Sequence, residues 1–168
     1  MATVGKDLML WIRSQADASP TTIDFKEAAS QTFKKGELVF VDADGFVYEI
    51  AGDTPTTIMG LAEQDAHNDT VAGTSTVQVA LANGVNIFEA NCLQTTLGDH
   101  VLVQADIGTF MGIQRDTPNS RTYLNASVKN ANSRVLTLRI GQASALGDTN
   151  ARLLFIFHPK FTQMQSTS

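Results

Sequence analysis

From residue 32 onward, apolar side chains recur at alternate positions in short runs broken by Gly, Asp, Asn and Pro, the pattern of strands joined by turns. Residues 37–41 (ELVFV) and 46–50 (FVYEI) flank Asp42-Ala43-Asp44-Gly45, whose Asp-Gly pair supplies the positive-φ positions that a hairpin turn requires. In the second run Phe46, Tyr48 and Ile50 alternate with Val47 and Glu49, which predicts one aromatic, buried face and one partly wet face. Residues 57–62 (TIMGLA) read as a further strand with Gly60 at a bulge or a close approach of backbone. A polar, loop-like stretch over 63–73 precedes residues 77–81 (VQVAL), and Asn83-Gly84 then marks a turn into residues 85–90 (VNIFEA).

The second half keeps this style. Strands are expected over residues 101–103, 110–113, 122–124, 135–140 and 153–157, punctuated by Gly98-Asp99, Pro118-Asn119-Ser120 and Gly147-Asp148. Short strands at this spacing favour an antiparallel sandwich or barrel over a parallel sheet with helices. The predicted architecture is therefore mainly β: a small antiparallel barrel or sandwich over about residues 32–82, then a second β domain, with an N-terminal arm. The expected boundaries are an arm over 1–31, a barrel-like domain over 32–84, a second antiparallel domain over 85–161 and a flexible tail over 162–168.

The first thirty residues break the pattern. Residues 6–13 place Leu8, Met9, Leu10, Trp11 and Ile12 in one apolar cluster, followed by the polar, turn-prone stretch 14–22. Over so few residues periodicity permits either a short helix or an extended arm. The single tryptophan, Trp11, serves there either as an anchor onto the chain's own core or as the tip of an arm that docks on a neighbouring subunit.

Composition narrows the class. The chain has 168 residues, 43% hydrophobic and 17% charged, long enough and apolar enough for a core without metal or disulfide support. Its net charge of −5, with basic residues scattered apart from Lys34 and Lys35, argues against direct binding of nucleic acid. No apolar run reaches the ~20 residues of a membrane span, and the N-terminus lacks the signal-peptide succession, so a soluble chain retained in the compartment of its synthesis is expected. The lone Cys92 is read as a buried structural thiol.

The search for chemistry assigns no catalytic residue, no cofactor and no metal ligand. Asp42, Asp44 and Gly45 resemble the start of a calcium loop, but Phe46 and Val47 stand where such a loop needs an oxygen ligand and a glycine. His67, His100 and His158 fall in three separate segments, and Glu63 and Asp65 sit in a polar loop. Nucleophile elbows, phosphate-binding loops and dinucleotide fingerprints are absent from the sequence.

The run from Lys35-Gly36-Glu37 through Asp42-Ala43-Asp44-Gly45-Phe46-Val47, then Ile58-Met59-Gly60-Leu61-Ala62-Glu63 and Val77-Gln78-Val79-Ala80-Leu81, resembles the head decoration, or capsid cement, proteins of tailed bacteriophages. Ile87-Phe88-Glu89-Ala90-Asn91 and the run from Leu146 to Phe155 resemble the second half of the longer members. The likeness spans about residues 34–160. It implies a homotrimer on the outer surface of the virion head, assembled in the host cytoplasm, that binds the major capsid protein and bridges its subunits. It also implies that the N-terminal arm reaches capsid protein, which makes Leu8, Leu10, Trp11, Ile12 and Arg13 the candidate contact residues. The alternatives are a tail, baseplate or carbohydrate-binding β module, disfavoured by an aromatic content of 7%, and a small trimeric β enzyme.

Overall fold

The computed structural model describes residues 10–14, as backbone alone, together with 21–96, 98–116 and 120–164. The fold is mainly β, as the alternation predicts, and consists of two closed five-stranded barrels. The N-terminal strand β1 (Leu10–Ser14) is followed by the strands of the first barrel: β2 (Thr22–Glu27), β3 (Leu38–Val41), β4 (Phe46–Glu49), β5 (Gly60–Ala62) and β6 (Thr76–Leu81). The second barrel is built from β7 (Asn86–Leu93), β8 (Phe110–Asp116), β9 (Arg121–Asn125), β10 (Val135–Ile140) and β11 (Arg152–Phe157).

In the first barrel the strands run in the order β2-β4-β3-β5-β6, and β6 returns to β2 with Thr22 opposite Ala80 and Lys26 opposite Thr76. The Asp42–Gly45 turn is as the sequence demands. Gly45 adopts φ +84°, and Asp42 Oδ1 accepts the amides of Asp44 and Phe46 at 3.0 and 2.9 Å. Gly60 is a close approach: a Cβ there would press on the Ala80 carbonyl of the neighbouring strand.

The second barrel runs β7-β11-β10-β8-β9 and closes where β9 pairs in parallel with the end of β7, Cys92 opposite Leu124. The first half of β7 carries β1 on the same edge, Leu10 opposite Glu89 and Ser14 opposite Asn86. The apolar cluster at the N-terminus is thus an extended strand across residues 10–14, which resolves the choice between helix and arm. Leu8 lies outside the described residues.

Several expectations need correction. The first barrel begins at Thr22 and not at residue 32, because closure requires β2 between β6 and β4. Its sequence TIDFKE hides this, since its only aliphatic, Ile23, is exposed, Asp24 and Lys26 face solvent, and its one fully buried side chain is the charged Glu27. Residues 162–164 are not a frayed tail: Thr162 is buried and bridges Ile58, while Gln163 accepts from the Val41 amide at 2.8 Å and donates to the Val41 carbonyl at 2.6 Å. The expected facing of the 46–50 run holds for Ile50, which is buried, and for Glu49, which is partly exposed, but not for its first three residues. Val47 is fully buried, and Phe46 and Tyr48 are half-buried outside, Tyr48 stacked on Phe40 at 5.7 Å. The strands of a narrow five-stranded barrel turn Val39, Val47, Val77 and Val79 inward, and Phe33, from the loop after β2, is the fully buried ring of the same core. Residues 101–103 form no strand; Val101 makes an isolated bridge to Thr149, and a 3-10 turn follows over Gln104–Asp106.

Alternation also explains how the barrels join. In β3 and β5, Val39 and Ala62 point into the first barrel, while Leu38 and Leu61 point out and merge with the core of the second. That shared core includes Phe88, Phe155 and Phe157, whose ring centroids lie 5.0 to 5.9 Å apart. Polar links reinforce the seam: Arg115 Nη2 meets Glu37 Oε1 at 3.0 Å, the Arg115 amide donates to Asp53 at 2.6 Å, and Arg134 Nε donates to the Pro55 carbonyl at 2.7 Å. The C-terminal strap through Thr162 and Gln163 crosses the same seam.

Candidate functional site

The buried titratable groups are committed to the frame. Glu27 accepts the amides of His67 and Asn68 and lies 2.9 Å from His67 Nδ1. Glu89 accepts from the Gln142 amide at 2.9 Å and pairs with Arg152 Nε at 3.4 Å. Burial drives the Cys92 thiol up to about 12, with Asp106 adding to the effect, so it is held as the protonated, poorly nucleophilic form. Glu63 and Asp65 pair with Lys35 and Lys34 on the surface at 3.5 and 3.1 Å. Among the described residues no three His, Cys, Asp or Glu side chains converge as a metal site, and no helix is long and apolar enough to cross a membrane.

A different feature stands out on the second barrel. Backbone bonds from Leu102 N to Asp148 O (3.0 Å) and from Gly147 N to Leu102 O (2.9 Å) hold residues 101–103 extended against the 146–149 turn. Leu102 therefore points inward and is 1% exposed, whereas Val101 and Val103 point out and are each 48% exposed, near Leu146 at 49%. Such side chains favour a partner over water when they lie together.

Asp106 connects this patch to a groove. The 3-10 turn carries its carboxylate inward, where it accepts the Val103 amide at 2.9 Å, lies 2.8 Å from His100 Nε2 and receives Lys129 Nζ at 3.2 Å. Burial pulls its pKa up, but those three partners outweigh burial and hold the carboxyl below its ordinary range. Lys129 then lines an open groove of about 310 Å³ together with the loop after it and the aromatic group of Phe110, His158 and Phe161. Phe110 opens β8 opposite Leu136, and its ring lies 5.0 Å from that of His158, which in turn lies 5.4 Å from Phe161. The Arg134 guanidinium supports Phe161 from 3.9 Å.

Of the residues expected to meet a partner, Leu10, Trp11, Ile12 and Arg13 share β1, on the flank of the second barrel, and Leu8 is outside the described residues. Sequence reasoning passed over Val103 and Phe110 as ordinary strand residues and placed Phe161 without a role at the end of the second domain. For Val103 the signal available was the alternation about Leu102. No family model matches the chain, and no curated protein or solved structure matches it either.

Proposed function

We propose that this protein is a structural component of a tailed-phage virion that binds the outer surface of the head and stabilises it by bridging subunits of the major capsid protein, acting as a homotrimer. The observation that carries this reading is the apolar flank of the second barrel, where Val101, Val103 and Leu146 stand exposed on a frame whose interior is closely filled. The order of the cement-like segments along residues 35–47, 58–63 and 77–81 supports it.

The mechanism is mechanical. A shell under outward pressure opens only when the interfaces across its subunits break, and a protein bound over several subunits adds area that must be separated first. One specific interface buries about 1,600 Å² in total, and a trimer with several contacts gains by multivalency. Rigidity serves this role, because a double barrel joined by buried charge and a C-terminal strap transmits load without unfolding at the seam. Strand β1 ends its sheet, and its outer edge has no partner among the described residues, so it offers main-chain groups for strand addition by capsid protein.

The test is twofold: light scattering for the oligomer, and co-sedimentation with emptied, expanded heads of the phage that encodes the chain. Trimers that pellet with heads and raise the temperature at which they rupture support the proposal. A strict monomer that stays in the supernatant sinks it.

A further inference from the structure

We propose that the groove bounded by Phe110, His158, Phe161 and Lys160 seats an acidic segment of a partner protein, with a carboxylate beside an apolar side chain. This rests on the reading of the chain as one that binds other proteins, and it names where and by what chemistry.

The charge of the groove runs against that of the chain. The net charge is −5, yet the groove is lined by Lys129, Lys160 and His158 and by no carboxylate. Lys129 is fixed by Asp106 while 40% of its side chain stays exposed. Lys160 has no carboxylate partner among the described residues, its ammonium lying 5.5 Å from the Phe161 ring. His158 Nδ1 accepts the Lys160 amide at 3.1 Å, so neutral His158 carries its proton on Nε2 and offers one more donor. Three donors for an anion thus surround an aromatic shelf, and Phe110, 45% exposed at the start of β8, supplies its apolar surface.

The same geometry selects a polypeptide over a free small acid. Small-molecule sites enclose most of their ligand, whereas this groove of about 310 Å³ is open along one side. A peptide brings its own cover, and the shelf then accepts one side chain while the lysines take the adjacent carboxylate. The groove is also built to keep its shape. Arg134 and the 3-10 turn Pro159–Phe161 hold Phe161, and the His158 amide donates to the Arg134 carbonyl at 2.8 Å, so little ordering remains to be lost on binding.

The experiment uses the full chain, labelled with nitrogen-15, and three probes: a short acetylated peptide alternating aspartate with phenylalanine, its lysine-for-aspartate counterpart, and free phenylacetate. The acidic peptide is expected to give saturable amide shifts at Phe110, Ala131, Lys160 and Phe161 that weaken with salt. The exposed-site variants Lys160→Glu and Phe110→Ser should each lose about tenfold in affinity with the melting temperature unchanged for Lys160→Glu. Absent or scattered shifts, equal binding of the basic peptide, phenylacetate binding as tightly as the acidic peptide, or full affinity in Lys160→Glu would each overturn the proposal. Head co-sedimentation separates the two levels. Undiminished pelleting of both variants removes the groove alone, whereas a wild-type chain that ignores heads but binds the acidic peptide removes only the cement reading.

Discussion

Arg115 of the second barrel holds Glu37 of the first through two bonds to one oxygen, Nε at 3.2 Å and Nη2 at 3.0 Å, with side chains 9% and 2% exposed. Glu37 also accepts the Lys34 amide at 2.7 Å, so its carboxylate is fully engaged at the seam. Breaking such a pair from one side strands a buried charge, which costs about 3–5 kcal/mol, while replacing both members with apolar residues is often near neutral. Arg115→Met should therefore lower unfolding free energy by roughly 3 kcal/mol, and Arg115→Met with Glu37→Met should recover most of it. Urea titration of the four proteins of that cycle checks the coupling; equal losses in the single and double variants would remove the pair as a clamp.

Two glycines separate steric crowding from backbone strain. At Gly60 an added Cβ meets the Ala80 carbonyl and Val79, both fixed in the barrel, so Gly60→Ala should destabilise by at least about 3 kcal/mol or prevent folding. At Gly45 nothing lies within 4 Å, and only φ +84° is unfavourable, so Gly45→Ala should cost about 1–2 kcal/mol. Circular dichroism melts of the pair test the order.

Asp106 gives the fold an acid dependence whose sign follows from its depressed pKa. Its contribution is fully present above the ordinary value of 3.8 and is lost as pH falls through the lower, folded value. Asp106→Asn should thus be less stable than wild type at neutral pH, and the gap should narrow as the pH is taken down to about 3. A gap independent of pH across urea titrations would show that the carboxylate charge contributes nothing.

Cys92 is buried beside Met111, its Sγ 3.9 Å from the Met111 Sδ. With its pKa pushed up to about 12, the folded protein should resist iodoacetamide at mildly alkaline pH and react only once denaturant opens the second barrel. Intact-mass spectrometry reads the outcome, and rapid labelling in native buffer would contradict the burial.

Removing residues 1–14 takes away β1 but leaves the β7–β9 pairing that closes the second barrel. The truncated chain should unfold cooperatively at a lower temperature and pellet less with heads. Loss of the cooperative transition would mean that β1 is part of what makes the barrel fold.

The candidate site was less legible than the fold. The turn at Asp42–Gly45, the close approach at Gly60 and nine of the strands follow from alternation and turn residues, which are local properties. Phe110, Lys129 and the pair His158 and Phe161 come from three segments, and they converge only because β8 pairs with β10 and the chain after β11 turns back over Arg134. His100 and Asp106 are separated by six residues, yet their bond depends on the 3-10 turn that sends the carboxylate inward.

By itself the sequence determined where the backbone extends and where it turns, because period-two alternation and the conformational demands of Gly, Asp and Asn act over a few residues. Tertiary structure alone decided which face of β4 lies inside, that Thr22–Glu27 completes the first barrel, and that Glu37 finds Arg115 across 78 residues of chain. Those outcomes depend on the width of a closed barrel and on the need of a buried charge for a partner, and both exist only once distant strands have met.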